Sequence, residues 1–179
     1  MTMIKLAGKC VVVTLIGLAA ALALWALVVF LPFRGILGDG LDYEQAKDDA
    51  TELFEKRRDA FLEAKDAAIA SLTAESLSVK GVESIRCERV GQSDAVEFAI
   101  DAQGMLGGQY WGIYFVSDNR PLLFQLEDAG SHLKAGPRAD SYFYREVDGN
   151  NFYATEKLED NWYFYYMDYD GNRHGLDWN

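Results

Sequence analysis

The sequence predicts an α+β protein, built as an N-terminal transmembrane helix, a long amphipathic helix and then an antiparallel meander sheet of six or seven strands. Three observations carry this reading. From Cys10 to Phe33 the chain has 24 consecutive residues without a charge. From Ala46 to Leu72 apolar residues recur at three- and four-residue steps. From about Leu77 the period falls to two and short polar turns separate the runs, which favours hairpins over βαβ crossovers.

The uncharged run extends about 36 Å as a helix, against a hydrocarbon core of about 30 Å. A cleaved signal peptide has an apolar region of only about 7 to 15 residues, so the length favours a retained signal-anchor. Lys5 and Lys9 precede the run and only Arg34 follows it closely. The positive-inside rule then leaves the N-terminus in the cytoplasm and the rest outside. The expected layout is a cytoplasmic N-terminus at 1–9, a single-pass membrane anchor at 10–33, a linker at 34–41 and an extracytoplasmic domain at 42–179.

Asp42, with Gln45 three residues on, reads as a capping box opening the long helix. Ala46, Ala50, Leu53, Phe54, Arg57, Phe61, Ala64, Ala68 and Leu72 mark its inward stripe, and no Gly or Pro interrupts it. Its alanine-rich face suits close packing on a sheet or on a second copy of the chain, so homo-oligomers fit the pattern. Cys87 falls in an expected strand, as a small hydrophobe. Val96, Phe98 and Ile100 alternate with Glu97 and Asp101 as a half-buried strand. The run from Gln109 to Val116 is apolar on both faces and reads as a central strand. A turn through Pro121 leads into an expected strand over 122–126, and a polar loop covers 128–140. Asp148-Gly149 signals a hairpin between 142–147 and 152–157, and Asp160-Asn161 turns into a last strand at 162–169.

The helix-then-sheet order resembles the cystatin and NTF2-like architectures, a likeness of fold that carries no function. The segments from Trp111 to Pro121 and from Glu156 to Tyr166 resemble stretches of small membrane-anchored bacterial proteins. That resemblance implies no activity and no site residue.

Residues 34–179 hold 15 of the 17 Lys and Arg and all 28 Asp and Glu, a balance of −13. Such a domain repels nucleic acid and anionic lipid, and prefers basic partners, cations or neutral glycans. The two histidines, His132 and His174, have no ligand spacing with Cys10 or Cys87. No nucleophile elbow and no phosphate loop is present, and no cofactor is expected. Asp168, Asp170 and Asn172 alternate like the first half of a calcium loop, but Gly171 comes two places early for that motif. They are the metal candidates, against a plain turn.

Rings crowd the last strand. Trp162, Phe164 and Tyr166 fall on one face, and Tyr163, Tyr165 and Tyr169 on the other. One helix layer covers one face, so the tyrosine set is expected to be exposed and to bind a ligand, against cross-strand ladders as the plain alternative. The sequence therefore points to a non-enzymatic recognition or accessory module at the cell envelope, taking an envelope protein or glycan. Two alternatives are an accessory subunit of a membrane complex, assembling through its helices, and a hydrolase using paired carboxylates.

Overall fold

The structure, a computed structural model, describes residues 42–74, 76–103, 108–123, 132–146 and 151–169. The chain divides into two units, Met1–Gly38 and Asp39–Asn179, and every described residue belongs to the second.

Among the described residues two helices stand where one long helix was expected, α1 over Tyr43–Lys56 and α2 over Arg58–Ser71. The Asp42 carboxylate accepts the Gln45 N–H at 2.9 Å and so satisfies one orphan donor of the first turn. The break falls at Arg57, with φ −121° and ψ 18°. Its N–H is shared between the Leu53 and Phe54 carbonyls at 3.0 and 3.3 Å. Packing accounts for it. A straight helix of thirty residues would run about 45 Å and leave the sheet, whereas the bend sets both Phe54 and Phe61 on Trp162, with ring centroids 4.9 and 6.2 Å away. Ala46, Ala50, Ala64 and Ala68 are buried on the same stripe and let the helices lie close to the strands. Leu72 leaves that stripe: it caps α2 in the left-handed region and is 56% exposed.

Among the described residues seven strands follow: β1 Ser84–Val90, β2 Ser93–Gln103, β3 Gln109–Val116, β4 Lys134–Ala135, β5 Ser141–Arg145, β6 Phe152–Glu159 and β7 Trp162–Asp168. They form one antiparallel sheet in the order β1-β2-β3-β7-β6-β5-β4. The order corrects the simple meander. Two runs of hairpins meet at the centre, where β7, the last strand among the described residues, pairs with β3. Of the strand expected over 122–126, residues 122 and 123 are not in a strand and the others lie outside the described residues, while β4 appears inside the expected loop.

The membrane reading is corrected too. No helix among the described residues is long and apolar enough to cross a membrane. Both helices have 14 residues, about 21 Å, and both carry charged faces. The run from Cys10 to Phe33 lies outside the described residues. The single-pass membrane localisation expected from that run is corrected with it.

Each face of the sheet has its own apolar cluster. Trp162, Phe164 and Tyr166 of β7 join Phe98, Trp111, Ile113 and the helix residues on one side. Tyr163, Tyr165 and Met167 join Tyr114, Val116, Tyr153 and Leu123 on the other.

Candidate functional site

The tyrosine face is the first candidate, and the structure corrects the expectation that it is exposed. Tyr163 and Tyr165 are each 2% exposed, as deep as Phe164 at 0%. β7 sits at the centre of the sheet, and an apolar cluster covers each of its faces. The cover is the chain's own strap after β3, and the tyrosine hydroxyls bind its backbone. Tyr163 donates to the Asn119 carbonyl at 2.8 Å and Tyr153 to the Leu122 carbonyl at 2.7 Å. The Leu122 N–H donates to the Tyr114 hydroxyl at 2.9 Å. Tyr114 lies 2.9 Å from the Thr155 hydroxyl, which donates to the Phe164 carbonyl at 2.8 Å. Those polar atoms are already used. Tyr169 is half-buried, edge-on to Tyr110 at 5.5 Å.

Tyr165 shows why this face closes so tightly. Its cross-strand partner is Gly112, where an added Cβ would come 2.2 Å from the Phe98 carbonyl oxygen and 2.9 Å from the Tyr165 ring. The ring lies over a bare backbone. Burial, then the buried Glu97 carboxylate, pushes the Tyr165 phenol well above its ordinary value. Glu97 is held by Arg86 across the β1–β2 pair, with Nε at 2.7 Å.

Of the metal candidates, Asp168 is fully buried on the helix-facing side of β7, while Asp170 and Asn172 lie outside the described residues. Among the described residues no three His, Cys, Asp or Glu side chains gather as a metal site. His132 stands 6.3 Å from the Tyr144 ring. Cys87 is a free, half-buried thiol, and burial raises its pKa, which lowers its reactivity.

Two further places have a plain structural reading. Glu156 accepts from Tyr43 at 3.1 Å and from Lys47 at 2.5 Å, and Arg138 bridges it to Glu44. These contacts fasten the start of α1 to β6. A cleft of about 440 Å³ opens between Val90, Asp118, Arg120, Leu122 and Tyr142. Its cation, Arg120, is already paired with Asp118 through Nε at 2.7 Å.

What remains is the polar end of the helix-facing side. Gln109 opens β3 and faces Asp168 of β7 across the ladder, and Trp111 is next on the same face. A bulge in β2 after Ala99 sets Asp101 beside Trp111. Gln109 and Trp111 are both only 2% exposed, yet both amide atoms of Gln109 and the indole Nε1 of Trp111 have no hydrogen-bond partner among the described residues. Buried polar groups are nearly always paired, and each one left unmade costs about 1–3 kcal/mol. Three such atoms at neighbouring positions on one strand face are therefore the most unusual feature of the fold.

No family model, curated protein or solved structure matches this chain.

Sequence reasoning passed over this group. Gln109 bounds the expected strand and Trp111 reads as core, which it is. The one available signal was an amide at the mouth of an otherwise apolar and aromatic strand.

Proposed function

We propose that the protein is a non-enzymatic recognition module, whose binding group is the Gln109 amide with the Trp111 indole N–H at the polar end of the helix-facing sheet. The observation that supports it is the set of three buried polar atoms without partners among the described residues. A ligand supplying those partners converts a cost of folding into affinity. The charged pairs support a non-catalytic reading: Glu97 is engaged by Arg86, and Glu156 by Lys47 and Arg138. A general acid or base instead needs a group held near neutrality and within reach of substrate.

The test is a thermal-shift screen of neutral, cationic and anionic small molecules on the full chain and on Gln109→Met. At least one neutral polar compound is expected to raise the melting temperature of the native chain and to leave Gln109→Met unmoved. Equal stabilisation of both proteins, or chemical conversion of the bound compound, contradicts the reading.

A further inference from the structure

We infer that the free edge of β1 pairs with the same edge of a second copy of the chain, antiparallel about a two-fold axis at Cys87, so that Arg86 of each protomer faces Glu88 of the other. The inference is independent of the recognition reading.

The backbone decides what the edge can offer. β1 and β4 end the sheet, and each has a neighbour on one side only among the described residues. β4 has two residues, whereas β1 has seven. A long edge strand presents a row of N–H and C=O groups that another strand can pair with, and a two-residue one does not. Which groups β1 presents follows from β2. The Asp94 carbonyl accepts from Ser117 on the β3 side at 3.0 Å, and the Ala99 carbonyl accepts from Glu83 on the β1 side at 2.8 Å. Backbone polar groups alternate in direction along a strand, so Ala95 and Glu97 turn theirs to their register partners Glu88 and Arg86. Ile85, Cys87 and Arg89 therefore turn their N–H and C=O groups outward, and no hydrogen bond to those groups is present among the described residues.

The side chains select the partner and the register. With the axis at Cys87, Ile85 meets Arg89, Arg86 meets Glu88 and Ser84 meets Val90. The three outward residues of each copy then exchange about six backbone hydrogen bonds. The Arg86–Glu88 pairs fall between those bonds, where facing Cα atoms approach to about 4.5 Å and side chains are closest. Opposite charges at such positions are favourable, and symmetry makes the contact twice. Arg86 is free to make it: its guanidinium reaches Glu97 of its own sheet through Nε at 2.7 Å and one Nη at 2.5 Å, and the side chain is still 57% exposed. That leaves the N–H groups of the other Nη. Glu88 is exposed and makes no salt bridge among the described residues.

Moving the axis by one residue sets Arg86 against Arg86 or Glu88 against Glu88, which repel. The chain carries a net charge of −11, yet β1 itself holds two arginines and one glutamate. This edge is therefore a part of an acidic surface that its own copy can approach. Val90, 41% exposed, also gains cover from Ser84 of the second copy.

The test follows the full chain across a dilution series, by sedimentation and by amide hydrogen exchange read residue by residue. Seven residues a side is well below the roughly 20 to 30 of a standard interface, so the transition is sought between about 1 μM and 1 mM. A monomer–dimer equilibrium is expected. The Ile85, Cys87 and Arg89 amides should slow as the dimer forms, while those of Arg86 and Glu88, already bonded to β2, are slow throughout. Glu88→Arg should weaken dimerisation by about tenfold or more, and Glu88→Gln by less. The same spectra show that both variants are folded. A chain that stays monomeric throughout overturns the inference, whether the edge is left open or taken by a strand of another protein. A dimer whose three outward amides still exchange freely overturns it as well, and so does one that is indifferent to Glu88→Arg.

Discussion

A methyl group on Gly112 has no room: it would meet the Phe98 carbonyl oxygen at 2.2 Å, and the Tyr165 ring blocks the other side at 2.9 Å. The obstacle is backbone, which cannot swing away as a side chain can. Gly112→Ala is expected to destabilise the fold by about 3 kcal/mol or more, measured by urea unfolding. Leu72 presents the opposite case. It holds φ 52° at the end of α2, a conformation that costs a branched residue about 1 kcal/mol, and its side chain is mostly solvated. Leu72→Gly should therefore raise stability by about 1 kcal/mol in the same assay. At this scale the sequence was partly legible. The Asp42 cap was visible because its partner is three residues away. Gly112 was not, because the atoms that forbid a side chain there belong to Phe98 and Tyr165, distant in sequence. Leu72 was misplaced because a helical period continues in sequence past the point where the helix stops.

Among the elements, the strap after β3 decides how the tyrosine face is read. Its backbone is bound at Asn119 and Leu122 by hydroxyls from β3, β6 and β7. Tyr153→Phe removes the donor 2.7 Å from the Leu122 carbonyl, and should cost about 1–2 kcal/mol. Hydrogen exchange should locate the loosening in the strap, leaving β7 protected; a uniform loss across the sheet would show that the strap is not a separate layer. The limits of β3 agreed with the apolar run, and β6 and β7 fell within a residue or two of the runs that the turns delimit. The exposure of the tyrosines was misjudged for a physical reason. A row of hydroxyls on one face signals that polar partners exist, but not whether they are water, a ligand or the chain's own carbonyls. The break at Arg57 left no mark either, since it falls at neither glycine nor proline and the contacts that go with it, Phe54 and Phe61 on Trp162, are distant in sequence.

The sheet is organised around β7, the last strand in sequence among the described residues and the middle one in space. Long-range pairing of that kind is set by the closing of the sheet, and local periodicity does not report it. Burial on both sides has a consequence in alkali. Burial raises the phenols of Tyr43, Tyr114, Tyr153 and Tyr165 above their ordinary value. The folded chain keeps those protons while the unfolded chain, with phenols near pH 10, has begun to lose them. Their contribution to stability is therefore complete below about pH 10 and falls above it, by up to about 1.4 kcal/mol per pH unit for each phenol still neutral in the fold. Phenolate absorbance should rise together with loss of the fold; titration of these tyrosines in an intact fold near pH 10 would contradict that. The Gln109 amide is unbonded among the described residues, and the recognition proposed above has a ligand supply its partners. The most direct measurement is the unfolding free energy of Gln109→Met, which keeps the shape of the side chain and removes its polar atoms. Gln109→Met is expected to be more stable than the native chain by about 1–3 kcal/mol, because a buried amide without partners costs that much. A Gln109→Met protein less stable than the native chain would show instead that the amide is bonded within the fold and has nothing left to offer a ligand.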